Sequence, residues 1–149
     1  MGTESVRIKN ILLAEDDMRD VELTLEALEE HRLANQVSVV RDGAQALDYL
    51  YRRGEFQARA GGNPILVLLD LKMPKINGLE VLKIIKADEQ LRSIPVVVLT
   101  SSHETSDLAE CYKYGVNGYV VKPVDFTQFS KAVENLGLYW LLINHPPKS

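Results

Sequence analysis

The sequence predicts an α/β protein built on a parallel sheet with helices on both faces. Five apolar, strand-like runs alternate with five segments of helical periodicity. The third and fourth runs, residues 64–70 and 94–100, are apolar almost throughout, as strands covered on both faces are. Four of the five runs stop at polar residues: an acidic trio, an aspartate, a threonine and a lysine.

Residues 8–14 (IKNILLA) read as the first strand. Residues 20–33 follow as a helix with Val21, Leu25 and Leu28 on one face. Residues 36–40 (QVSVV) form the second strand, and 43–53 a helix that turns Ala46, Leu47, Leu50 and Tyr51 inward. The third strand, PILVLLD, precedes a helix over 78–88 with Val81, Leu82 and Ile85 at helical spacing. The fourth strand, IPVVVLT, precedes a helix over 105–115, stopped by Gly115 in a place that suits a left-handed residue. The fifth strand is 117–122, and the last helix is expected over 125–144. Residues 54–64 (GEFQARAGGNP) make the longest loop. Right-handed crossovers connect such strands. With no repeat, low-complexity segment or second domain in view, one domain over 1–149 is expected, with its core at about 8–143 and short polar tails.

Composition excludes several classes. Hydrophobic residues are 46% and charged residues 26% of the 149, the balance of a water-soluble protein with a core. A net charge of −4 argues against nucleic acid, which is bound by clustered Lys and Arg. Cys111 is the single cysteine, so no intramolecular disulfide forms; it reads as a small packed apolar residue, and the chain fits a reducing compartment. The first ten residues, MGTESVRIKN, lack a signal-peptide core, and Val6 breaks the myristoylation pattern. No apolar run reaches membrane-spanning length, so the protein is expected in the cytoplasm with no membrane partner.

In an open parallel sheet, ligands bind outside the carboxyl ends of the strands. There this sequence places Glu15, Asp16 and Asp17, then Asp70, then Thr100 with Ser101 and Ser102, then Lys122 and Pro123. Two carboxylates about 4 Å apart repel by roughly 4 kcal/mol at an effective dielectric near 20. One lysine cannot neutralise Glu15, Asp16 and Asp70 together. A hard dication can, and magnesium takes a few carboxylates, waters and a phosphoryl oxygen. Asp70, ending an apolar strand, then reads as a nucleophile that carries a phosphoryl group as an acyl phosphate. Such transfer is largely positioning and charge neutralisation, with Lys122 and Thr100 each contacting a phosphoryl oxygen.

The segments ILLAEDD (11–17), LLDLKMPKINGLEVL (68–82), IPVVVLTSS (94–102) and NGYVVKP (117–123) resemble, in order and over nearly the whole chain, the CheY-like response-regulator receiver domains. The resemblance implies a flavodoxin-like (βα)5 fold with strand order 2-1-3-4-5. It implies Asp70 as phosphoacceptor and Mg2+ held by Asp16, Asp70 and the backbone carbonyl of Lys72, with Glu15 in the outer shell. It makes Thr100 and Lys122 the phosphoryl contacts, Tyr119 the aromatic switch residue, and the bond before Pro123 cis. It implies a signalling protein rather than a steady-turnover enzyme, with self-catalysed phosphoryl transfer and dephosphorylation. A sensor histidine kinase is the expected partner, and a histidine phosphotransfer protein a further one. Lys72 and Ser102 sit where the family tunes acyl-phosphate lifetime. No output domain follows, and the long loop before strand three, with the final LYWLLINHPP (138–147), resembles the small regulators paired with phytochrome-type kinases.

Other readings fit less well. A flavin carrier needs a hydroxyl- and glycine-rich phosphate loop where this chain has EDDMRD. An aspartate-nucleophile phosphohydrolase needs a second aspartate where Lys72 stands. A transcription factor needs a basic reading helix. A phosphorylation-independent adaptor remains as an alternative. Asp17 and Asp20 read as capping and charging the first helix, and His31, His103 and His145, without metal-ligand spacing, as solvated. In the last helix Phe126, Phe129, Val133, Leu136 and Trp140 form an inward stripe, while Leu138, Tyr139, Leu141, Leu142 and Ile143 add apolar surface around it. A helix apolar all round needs cover on more than one side. Either a homodimer through helix four, strand five and helix five provides it, as the resemblance implies, or the tail after Asn144 does.

Overall fold

Runs such as ILLA, LVLLD and VVVLT are apolar up to their final residue, so both faces of any sheet they form must be covered. The computed structural model, which describes residues 10–30, 32–101, 105–138 and 142, has that arrangement. Strands β1 (Ile11–Ala14), β2 (Val37–Val40), β3 (Leu66–Asp70), β4 (Val96–Thr100) and β5 (Gly118–Val121) alternate with helices α1 (Met18–Glu29), α2 (Gly43–Tyr51), α3 (Gly78–Ala87), α4 (Thr105–Lys113) and α5 (Phe126–Asn135). All strand pairs are parallel, in the order β2-β1-β3-β4-β5. This is the expected doubly wound, flavodoxin-like sheet.

Alternation along the strands divides the core in two. Leu12, Ala14, Val67, Leu69, Val96 and Val98 pack with Leu47, Leu50, Leu82, Ile85 and Cys111 of α2, α3 and α4. Ile11, Leu13, Leu66, Leu68, Val97, Leu99 and Val120 pack with Val21, Leu28, Phe129 and Val133 of α1 and α5. Each buried Leu or Val contributes about 1.5–3 kcal/mol. Cys111 is a free, buried thiol within the first of these cores. Asp17, Asp42, Asn77 and Asp125 cap α1, α2, α3 and α5 by accepting from backbone N–H groups of the first turn.

The long loop after α2 is tied down. It opens with a 3-10 turn, Gly54–Phe56. Arg59 lies 4.1 Å over the Tyr49 ring and donates to the carbonyls of Tyr49 and Gly62, both at 3.0 Å. Asn63 donates to Gln90 O at 3.1 Å.

The last helix is shorter than its apolar pattern predicts. It ends at Asn135, not at 144. Gly137 takes φ +76°, its N–H donates to Glu134 O at 3.0 Å, and Leu138 N–H donates to Val133 O at 2.9 Å. This pair of bonds satisfies the last carbonyls and turns the chain aside. Leu142 is then fully buried in the core under α1 and α5, so this chain covers part of its own apolar surplus. Tyr139, Trp140, Leu141 and Ile143 lie outside the described residues, as do Ser102, His31, His103 and His145.

Candidate metal centre

Three strand ends converge because of side-chain alternation. Leu13, Leu68 and Val120 point to the α1/α5 face, so Glu15, Asp70 and Lys122, each two residues later, continue that face past the end of the sheet. Glu15 stays in register because its N–H donates to Val40 O at 3.0 Å. Lys122 Nζ lies 3.2 Å from Glu15 Oε1, 3.3 Å from Asp70 Oδ1 and 3.0 Å from Asp20 Oδ2. Asp16 completes the group: one carboxylate oxygen from each of Glu15, Asp16 and Asp70 lies within 4.8 Å of the others. Among the described residues no other cluster of His, Cys, Asp and Glu has this proximity.

These residues border a cavity of about 220 Å³ that also meets Lys72, Thr100, Ser101 and Asp107. Thr100 is buried at the end of β4. The bond between Lys122 and Pro123 is cis. Tyr119 is outside this cavity; it lies on β5, opposite Val98 in register, and is 41% exposed.

Burial, reinforced by the charge and hydrogen bond of Asp70, pushes the Glu15 carboxyl up to about 7. Lys122 and the Asp17 N–H offset this only in part. Burial also raises Asp70, against the pull of Lys122 and the Lys72 N–H. For Lys122, burial alone would lower the ammonium, but the hydrogen bond to Asp20 and the charges of Asp70 and Glu15 outweigh it and hold the group above its ordinary value. Three carboxylates thus pair with one ammonium, Asp16 stands beside two of them, and burial disfavours the charged forms of Glu15 and Asp70. The donors are all oxygens, which fits a hard divalent cation rather than a metal preferring nitrogen or sulfur.

Glu15, Asp16, Asp70, Lys72, Thr100 and Lys122 therefore meet at one cavity, while Tyr119 stands apart. Asp17 caps α1, accepting from Arg19 N–H and Asp20 N–H at 2.8 and 3.2 Å. Asp20 does more than charge the helix start: it binds Lys122 from the helix that covers this face. The sequence pattern missed that role, and it missed Asp107, from the first turn of α4, at the cavity rim. Helical spacing places Asp20 on α1, but which side of the sheet α1 covers is not written in its own residues.

Residues 11–134 match the model of the response regulator receiver domain. A solved structure of the bacteriophytochrome response regulator RtBRR is 62% identical, with a TM-score of 0.83, covering 94% of this chain and 84% of that one. The phosphorylated cyanobacterial phytochrome response regulator RcpA is 41% identical, with a TM-score of 0.73, over 89% of this chain and 94% of that one. The response regulator Rcp1 of Synechocystis sp. is 38% identical over 95% of both chains. Its Mn2+-bound structure superposes with a TM-score of 0.73, at 37% identity, covering 94% of this chain and 99% of that one.

Proposed function

The chain belongs to the response-regulator receiver family, and we propose that Asp70 is its phosphoacceptor, taking a phosphoryl group from a histidine kinase of the phytochrome type. A carboxylate oxygen of Asp70 forms the new P–O bond as the P–N bond of the donor phosphohistidine breaks, and the imidazole leaves with the electron pair. The observation that carries this is the place of Asp70: buried at the end of the central strand, 3.3 Å from Lys122, at the wall of an open cavity.

Asp16, Asp70 and the Lys72 carbonyl would hold Mg2+, with Glu15 in the outer shell. When bound, that ion supplies positive charge against the phosphoryl oxygens. Lys122 leaves part of its carboxylate cage to pair with a phosphoryl oxygen, and the Thr100 hydroxyl donates to another. Thr100 and Tyr119 then carry the change to the face of α4, β5 and α5, where Tyr112 and Tyr119 are exposed. That face selects partners: the kinase, a histidine phosphotransfer protein, or a second copy in a homodimer. The names of RtBRR and RcpA support the phytochrome-type kinase. The receiver domain occupies residues 1–149 and works in the cytoplasm, and the chain's own residues also promote loss of the phosphoryl group.

Intact mass after incubation with Mg2+ and a small acyl-phosphate donor, or with phosphorylated kinase, tests this reading. One added phosphoryl group is expected in the wild type, and none without Mg2+ or in Asp70→Asn. A wild type left unmodified by both donors, or a modified Asp70→Asn, overturns it.

A further inference from the structure

The turn from β2 into α2 does not border the acidic cavity, yet its residues touch both loops that build it. Val40 O accepts from Glu15 N–H at 3.0 Å. Arg41 Nη2 donates to the backbone carbonyl of Asp16 at 2.7 Å. Asp42, the cap of α2, lies 3.7 Å from the ammonium of Lys75 in the loop after β3. Gly43 abuts that loop directly: a Cβ there would sit 1.8 Å from Ile76 O and 2.7 Å from Ile76 C.

One segment thus meets the loop that carries Glu15 and Asp16 and the loop that follows Asp70 and carries Lys72. Arg41 is itself held, because its backbone N–H donates to Gln45 Oε1 at 2.7 Å, and Gln45 Nε2 donates to Glu55 at 3.0 Å. Magnesium demands near-ideal octahedral geometry. A small change in the spacing of the two loops therefore falls directly on the ion's ligands.

We propose that residues 40–43 are a positioning element that sets the spacing of these two loops for the cation, with Arg41 gripping one loop and Gly43 seating the other. The inference rests on the metal-site reading above. Arg41 gives a test in which the sign is diagnostic. As a mere nearby charge, Arg41 repels a dication, and its removal would tighten binding. As a positioning residue, its removal loosens binding.

Calorimetric titration of the full chain with Mg2+ decides between these, with metal-free melting temperatures measured in parallel. For Arg41→Ala, about a tenfold loss of Mg2+ affinity is expected, the size typical when a group that orients a metal ligand is removed. The metal-free melting temperature should stay near that of the wild type, and Arg41→Lys, which keeps a donor and the charge, should recover part of the affinity. Gly43→Ala should also bind Mg2+ more weakly; if it does not fold, Arg41→Ala still decides. Equal or tighter binding by Arg41→Ala overturns the inference while leaving the metal site standing. A wild type that binds no Mg2+ overturns the metal reading, and this inference with it.

Discussion

Lys122 holds together a group of charges that would otherwise not share one site. Its ammonium meets Glu15, Asp20 and Asp70, the first and last almost fully buried. Removing one partner of a buried charge pair is strongly destabilising, about 3–5 kcal/mol, because the other charges lose their counterion. Lys122→Ala should therefore lower the metal-free melting temperature, and Mg2+ should restore more of the loss than it adds to the wild type. Its phosphorylation should persist while phospho-dependent binding is lost; unchanged phospho-dependent binding in this variant would count against the coupling. Glu15 sets a pH dependence. Its carboxyl ionises at its ordinary value of 4.5 in the unfolded chain and at about 7 in the fold. Below 4.5 both states keep the proton and there is no penalty; above 7 the folded state bears the full cost of an ionised, crowded carboxylate. Stability without metal should fall as pH rises through this window, by on the order of 3 kcal/mol at most. Denaturant titrations from pH 5 to 8 should show this slope, and Glu15→Gln or added Mg2+ should flatten it.

The end of α5 shows a local stop overriding a longer apolar pattern. Seven apolar residues between Leu136 and Ile143 suggest continued helix, yet Gly137 at φ +76° and the two reversed hydrogen bonds from Gly137 and Leu138 close the helix there. A Cβ at that backbone conformation is strained, so Gly137→Ala should cost about 1 kcal/mol in chemical denaturation. If instead Gly137→Ala stabilised the protein, the turn would not be what ends α5. The cap at the other end of α5 is conventional: Asp125 accepts from Gln128 N–H at 2.8 Å, and Asp125→Ala should cost about 1 kcal/mol.

Across the whole molecule, the acidic cavity reaches the end of β4, and β4 pairs with β5, which carries the exposed Tyr119. A phosphoryl group at Asp70 adds negative charge and acceptor oxygens beside Thr100, and a two-state element between them would carry the change outward. Sedimentation of the unmodified and phosphorylated protein measures whether the α4, β5 and α5 face joins two copies. A dimer in at least one of the two states is expected; a monomer at high micromolar concentration in both states would remove the dimer. No helix among the described residues is long and apolar enough to cross a membrane.

The order of strands and helices was legible in the sequence because periodicity is a local property: runs such as LVLLD and VVVLT announce buried strands, and the residues that end them announce the carboxyl edge. Glu15, Asp16, Asp70, Thr100 and Lys122 were legible for the same reason, as polar residues placed where apolar strands stop. Asp20, Arg41 and Asp107 were not, since each acts across a gap between elements distant in sequence. Asp20 reaches Lys122 only because α1 covers the face on which β5 ends. Arg41 reaches Asp16 only because β2 pairs with β1 in the register that brings Val40 beside Ala14. The sequence by itself determined which residues could form strands, caps and an acidic edge. Tertiary structure alone decided which helix packs on which face, and therefore which charges meet, because that choice depends on the packing of the whole sheet and not on any one segment.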